Sequence, residues 1–176
     1  MDLSKIETLL SEKEISNKIK ELGEILNEHY KNYKSVYVVG ILNGCFVFLS
    51  DIIRYLRFPL LFDFMTVRSY GKYVESSGVV QIIKDLNVSL YNKNVLVIED
   101  IIDTRLSLMT IDTMLKTRQP REIRYCVLLD KPQRKKIDMF VDWIGFSIPD
   151  VFVVGYGLDY AEKYRNLSFI GILKNG

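Results

Sequence analysis

This 176-residue chain has one histidine, two cysteines and no long apolar run, and each scarcity removes a class of protein. Cys45 and Cys126 lie far apart without metal spacing, which argues for a reduced, cytoplasmic protein rather than a disulfide scaffold or a zinc site. His29 falls at the end of a charged helical pattern, where a cation complements a helix C-terminus, so it reads as structural rather than catalytic. No segment approaches the ~20 apolar residues of a membrane helix. Met1 to Leu10 carries Asp2, Lys5 and Glu7 where a signal peptide has an apolar run. The formal net charge of +2 is too small to argue for nucleic acid or a membrane surface. A Gly-Lys-Ser/Thr phosphate loop is missing, and Gly155-Tyr156-Gly157 lacks the third glycine of a dinucleotide fingerprint, which argues against a nucleotide triphosphatase. Repeats and low-complexity tracts are absent as well.

What is present suits one globular domain over 1–176, with 48% hydrophobic and 26% charged residues. Ser11 and Glu14 form a capping-box start for a helix to about His29, with Ile15, Ile19, Leu22 and Leu26 on its inward face. Val36 to Leu42 reads as a buried strand, turning at Asn43-Gly44 into a helix from Phe46 to Leu56. Leu60 to Val67 and Val79 to Lys84 read as strands, antiparallel if joined as a hairpin. The polar stretch between them, 68–78, is too long for a tight turn and has the character of a lid. Leu106 to Lys116 is expected to be a helix ended by Gln119-Pro120. Glu122 to Leu129 is another strand, and Trp143 to Ile148 and Val151 to Gly155 are extended. The run Arg134-Lys135-Lys136 reads as a solvated face.

One stretch carries chemistry: Val95-Leu96-Val97-Ile98-Glu99-Asp100-Ile101-Ile102-Asp103-Thr104-Arg105-Leu106-Ser107-Leu108. Four apolar, mostly β-branched residues make a strand buried on both faces. It ends in carboxylates and feeds a helix N-terminus, the place where open α/β sheets bind ligands. Free amides there suit a phosphate, Thr104 and Ser107 add hydroxyls, and Glu99, Asp100 and Asp103 can accept hydrogen bonds or protons. Phosphate donors beside carboxylate acceptors point to a phosphorylated sugar. Two close carboxylates could instead form the metal site of a hydrolase.

The stretch VLVIEDIIDTRLSL resembles the phosphoribosyl-pyrophosphate signature of type I phosphoribosyltransferases, most closely the hypoxanthine-guanine branch, and the resemblance runs from Val36 to about Leu173. It implies an α/β fold: a Rossmann-like parallel central sheet flanked by helices, with a small hood subdomain. It further implies a purine salvage transferase that turns hypoxanthine or guanine and 5-phosphoribosyl 1-pyrophosphate into IMP or GMP and pyrophosphate. By that resemblance Asp103 is the general base, and Glu99, Asp100, Asp103, Thr104, Arg105, Leu106 and Ser107 hold the phosphoribosyl group. Leu42, Asn43, Gly44 and Arg165 match the pyrophosphate contacts, although the family usually has lysine at Asn43, where the preceding peptide can be cis. Lys131, Phe152, Val153 and Asp159 match the purine pocket, Ser69 and Tyr70 the closing lid, and Glu99, Asp100 and Asp159 the Mg²⁺ site. A homodimer or homotetramer is expected, with no nucleic-acid or membrane partner. A regulatory or sensor protein of the same fold is the competing reading.

Arg105 departs from this pattern, because the family has glycine there. A side chain in left-handed geometry costs roughly 1–2 kcal/mol, about ten-fold in affinity. Its guanidinium could recover part of that by folding back onto the phosphate. The expectation is impaired rather than abolished activity, improved by returning glycine; a decayed enzyme is the further possibility.

Overall fold

The computed structural model describes residues 3–69 and 80–174. In chain order the elements are β1 (Ile6–Leu10), α1 (Glu12–Tyr30), β2 (Val36–Leu42), α2 (Phe46–Ile52), β3 (Leu60–Ser69) and β4 (Val80–Lys84). They continue as β5 (Asn94–Ile102), α3 (Leu106–Lys116), β6 (Glu122–Asp130), β7 (Trp143–Ser147), β8 (Val153–Val154) and β9 (Ile170–Leu173). A 3₁₀ turn, Ile53–Tyr55, extends α2, and a second, Pro132–Arg134, follows β6.

Six strands form the main sheet in the order β4-β3-β2-β5-β6-β7, parallel throughout except for the antiparallel β3–β4 edge. Sequence order reverses between β2 and β5, so this sheet has a topological switch point there. Central strands of a parallel sheet are covered on both faces, and β5 shows it. Leu96 and Ile98 join the core beneath α1 and α2, whereas Val95 and Val97 join the core beneath α3. The four inward residues of α1 are all buried, and its capping box forms, with Ser11 and Glu14 each bonding the other's backbone. Among the described residues no helix is long and apolar enough to cross a membrane.

A separate three-stranded antiparallel sheet, β1-β9-β8, makes the hood. No sequence pattern marks the strands at Ile6–Leu10 and Ile170–Leu173, and the extended segment expected from Val151 to Gly155 shortens to the two-residue β8. Two antiparallel pairings organise this sheet, Ile6 against Leu173 and Val153 against Ile172, and the first joins segments far apart in sequence.

Candidate active site

All five parallel strands point their C-terminal ends to one edge, and the turns leaving β2, β5 and β6 supply the candidate residues there. Leu42-Asn43-Gly44 leaves β2 on one side of the switch point, and Glu99 to Ser107 leaves β5 on the other. The Leu42–Asn43 peptide is cis. Lys131, buried, follows β6; its amide donates to the Ile102 carbonyl at 3.0 Å, which ties the turn after β6 to the end of β5.

Neighbouring residues on a strand face opposite ways, and this splits the acidic pair. Glu99 lines a cleft of about 230 Å³ together with Asp103, Thr104, Ser107, Arg134 and Lys136. Its Oε2 is buried without a hydrogen-bond partner, and burial, reinforced by the Asp100 charge, raises its pKa well above the usual carboxylate range. Asp100 packs on the other side, against Gly44: a Cβ at position 44 would lie 1.6 Å from its Oδ2. Burial pushes the Asp100 carboxyl up to about 6, against the lowering pull of two backbone amides and the Arg165 cation. Arg165 holds this side together by pairing with Asp159 at 2.7 Å and donating to the Gly157 carbonyl at 2.8 Å. Gly157, at φ +97°, lets the hood backbone press on the Gly44 carbonyl, which a Cβ would meet at 2.2 Å.

The α3 N-terminus faces the cleft with its first-turn amides, which have no intrahelical acceptor. Thr104 Oγ1 accepts from the Leu106 amide at 3.4 Å. Arg105 has φ +66°, as a family glycine would permit, but its guanidinium does not fold back onto the turn. Nη2 donates to Asp130 Oδ2 at 2.9 Å and Nη1 to the Met139 carbonyl.

In the run Arg134-Lys135-Lys136 both lysines are exposed, as a solvated face requires, and the run also borders the cleft. Pro132 opens a tight 3₁₀ turn that brings Arg134 and Lys136 to the cleft, while Lys135 points away to Asp138. Arg134 Nε pairs with Asp103 Oδ1 at 2.6 Å and its Nη1 with Asp150 at 3.4 Å; the Lys136 amide donates to the Thr104 carbonyl at 3.2 Å. The proline directly after Lys131 was the sequence signal for this turn.

In the hood, Val153 is buried within β8, whereas Phe152 is 53% exposed and meets Tyr160 edge-on at 5.6 Å. A half-exposed ring at this edge is available for stacking, unlike a core phenylalanine. The lid expectation falls at the end of β3: Ser69 closes the strand, and Tyr70 and the residues through 79 lie outside the described residues. Among the described residues no three His, Cys, Asp or Glu side chains converge into a preformed metal cage. The donor set nevertheless fits Mg²⁺, which keeps several waters and is held by one or two carboxylates plus substrate phosphates. The unpartnered Glu99 oxygen and the raised Asp100 are groups a cation would satisfy.

Residues 5–161 match the phosphoribosyl transferase domain family. The chain is 49% identical over 166 residues to the hypoxanthine-guanine phosphoribosyltransferase of Staphylococcus epidermidis, covering 94% of this chain and 92% of that one. It is 46% identical over 173 residues to the enzyme of the same name from Bacillus subtilis, covering 98% and 94%. Its fold superposes on a crystal structure of a hypoxanthine phosphoribosyltransferase from Staphylococcus aureus with a TM-score of 0.92 and 48% identity, covering 97% of this chain and 93% of that one.

Proposed function

Because this chain belongs to the phosphoribosyl transferase domain family, we propose that it makes IMP or GMP and pyrophosphate from hypoxanthine or guanine and 5-phosphoribosyl 1-pyrophosphate. One observation carries the reading: the carboxylate-rich end of β5, the α3 N-terminus and the Leu42-Asn43-Gly44 turn all meet at the switch point of one parallel sheet.

The reaction breaks the bond between the anomeric carbon and pyrophosphate as a purine nitrogen bonds to that carbon. Positive charge develops on the sugar, and Glu99 and Asp100 oppose it while accepting hydrogen bonds from the ribose hydroxyls. The turn 103–107 binds the 5-phosphate through backbone amides and the hydroxyls of Thr104 and Ser107. Arg134 and Lys136 add positive charge to that cleft. Asp103 accepts the proton from ring nitrogen 7 as general base; with Arg134 on Oδ1, Oδ2 is the accepting oxygen. The half-exposed Asp103–Arg134 pair adds little stability, so orientation is its use.

Leu42, Asn43, Gly44 and Arg165 receive the pyrophosphate. Glu99, Asp100 and Asp159 are the carboxylates that would hold Mg²⁺, directly or through its waters, and the ion would supply charge neutralisation to the leaving group. Lys131 donates to the 6-oxo group and, having no acceptor, rejects the 6-amino group of adenine. Phe152 stacks on the base and the Val153 backbone reads its other edge. The enzyme acts in the cytoplasm as a homodimer or homotetramer.

A panel of bases with phosphoribosyl pyrophosphate and Mg²⁺, read by nucleotide formation, tests this. Hypoxanthine and guanine should react and adenine should not. Efficient AMP formation would refute the role of Lys131, and no nucleotide from any base would favour a sensor of the same fold.

A further inference from the structure

Arg105 stands where the backbone favours glycine, at φ +66° and ψ 0°. Its guanidinium joins three segments distant in sequence: the turn opening α3, the end of β6 through Asp130, and the loop before β7 through the Met139 carbonyl. The Arg105–Asp130 pair is buried, with side chains only 9% and 5% exposed. The other Asp130 oxygen, Oδ1, is buried without a hydrogen-bond partner, so Arg105 is the cation that neutralises this carboxylate. The Asp130 main chain is clamped as well. Its carbonyl accepts from the Ile148 amide at 2.9 Å, and the amide of the next residue, Lys131, donates to Ile102.

Resting on the reading of Lys131 as the base-recognising residue, we propose that Arg105 is a positioning residue that, through Asp130, fixes Lys131 relative to the ribose-phosphate turn. A buried carboxylate stripped of its partner must move, take up a proton or admit water. Each response disturbs the residue peptide-bonded to Lys131. Both Nη atoms are engaged by Asp130 and Met139, and Nε is buried without a partner, so the two ends of the fork are committed away from the phosphate. Position 105 thereby reports on the base, although it belongs to the phosphate turn.

Arg105→Gly keeps the left-handed backbone and removes the pair. The expected result is a KM for hypoxanthine raised about ten-fold, a KM for phosphoribosyl pyrophosphate changed much less, and a preference for hypoxanthine over adenine lowered about ten-fold. Arg105→Lys, which keeps the charge without the planar fork, should lose only part of this. Adding Asp130→Asn to Arg105→Gly removes the stranded charge, so the double variant should do better than the two losses multiplied. A higher KM for phosphoribosyl pyrophosphate alone would make Arg105 a phosphate ligand and overturn the proposal. A lower Tm with both KM values and base preference unmoved would reduce it to structural support, which also overturns it. If Arg105→Gly does not fold, Arg105→Lys and Asp130→Asn must each shift the base KM and preference, or the proposal fails. Wild-type turnover separates the two ideas: an inactive wild type refutes the reaction, whereas an active one with unmoved base preference refutes only the role of Arg105.

Discussion

Gly44→Ala places one methyl group inside the space of the Asp100 carboxylate. The new Cβ would lie 1.6 Å from Oδ2 and 2.4 Å from Cγ. Nonbonded heavy atoms settle at about 3.5 Å, so carboxylate and turn must separate by roughly 2 Å. The turn has little room to retreat, because Gly157 already packs against the Gly44 carbonyl. Asp100 is therefore the group that moves. Overpacking of this kind costs about 1–3 kcal/mol in stability. A displacement of about 1 Å in a reacting arrangement can cost about 10²-fold in rate. Steady-state IMP formation at varied phosphoribosyl pyrophosphate should show kcat/KM down about 10²-fold or more, in protein whose near-ultraviolet circular dichroism stays native. In an Asp100→Ala background the same methyl should add almost nothing, because the clash has gone. Wild-type kinetics in Gly44→Ala, or the full loss repeated in the Asp100→Ala background, would refute the reasoning.

Asp103→Asn keeps the shape of the proposed base and removes its proton affinity, so kcat should fall about 10²-fold or more; unchanged turnover would mean that another group or water takes the proton. Asp100, raised in the folded state to about 6, binds more protons folded than unfolded between its ordinary value and 6. Stability should therefore fall as pH rises through that window, by a few kcal/mol at most, roughly, with Glu99 shifting the same way. Asp100→Asn should flatten this profile and raise Tm at neutral pH while lowering activity, and denaturant melts at pH 4–7 would check it. Chelating Mg²⁺ should abolish nucleotide formation, and restoring Mg²⁺ should recover it; turnover in the presence of chelator would remove the metal from the scheme.

The parts of the molecule legible in the sequence were those written locally. Strand β2 and helix α3 have the limits that β-branched runs, the turn residues and Gln119-Pro120 suggest, because each is decided within about ten residues. The acidic end of β5 was legible for the same reason. The illegible parts depend on distant partners. Strands β1 and β9 are short and weakly patterned, and β1 becomes a strand by pairing with β9, far away in sequence. Arg134 and Lys136 belong to a solvated charged run, and only the 3₁₀ turn shows that it also borders the cleft. Arg105 could be recognised as out of place, but its direction was set by Asp130, 25 residues on. Returning glycine there would also strand the Asp130 carboxylate, a cost that no local pattern shows.

The pairing of β1 with β9 makes the hood the long-range part of this fold. All six strands of the main sheet lie within 36–147, so the floor of the site is built from one continuous stretch of chain. Ile6 pairs with Leu173 across the whole of that stretch, and closing so long a loop is entropically slow. Refolding from denaturant should thus form the phosphate turn before the hood that covers it.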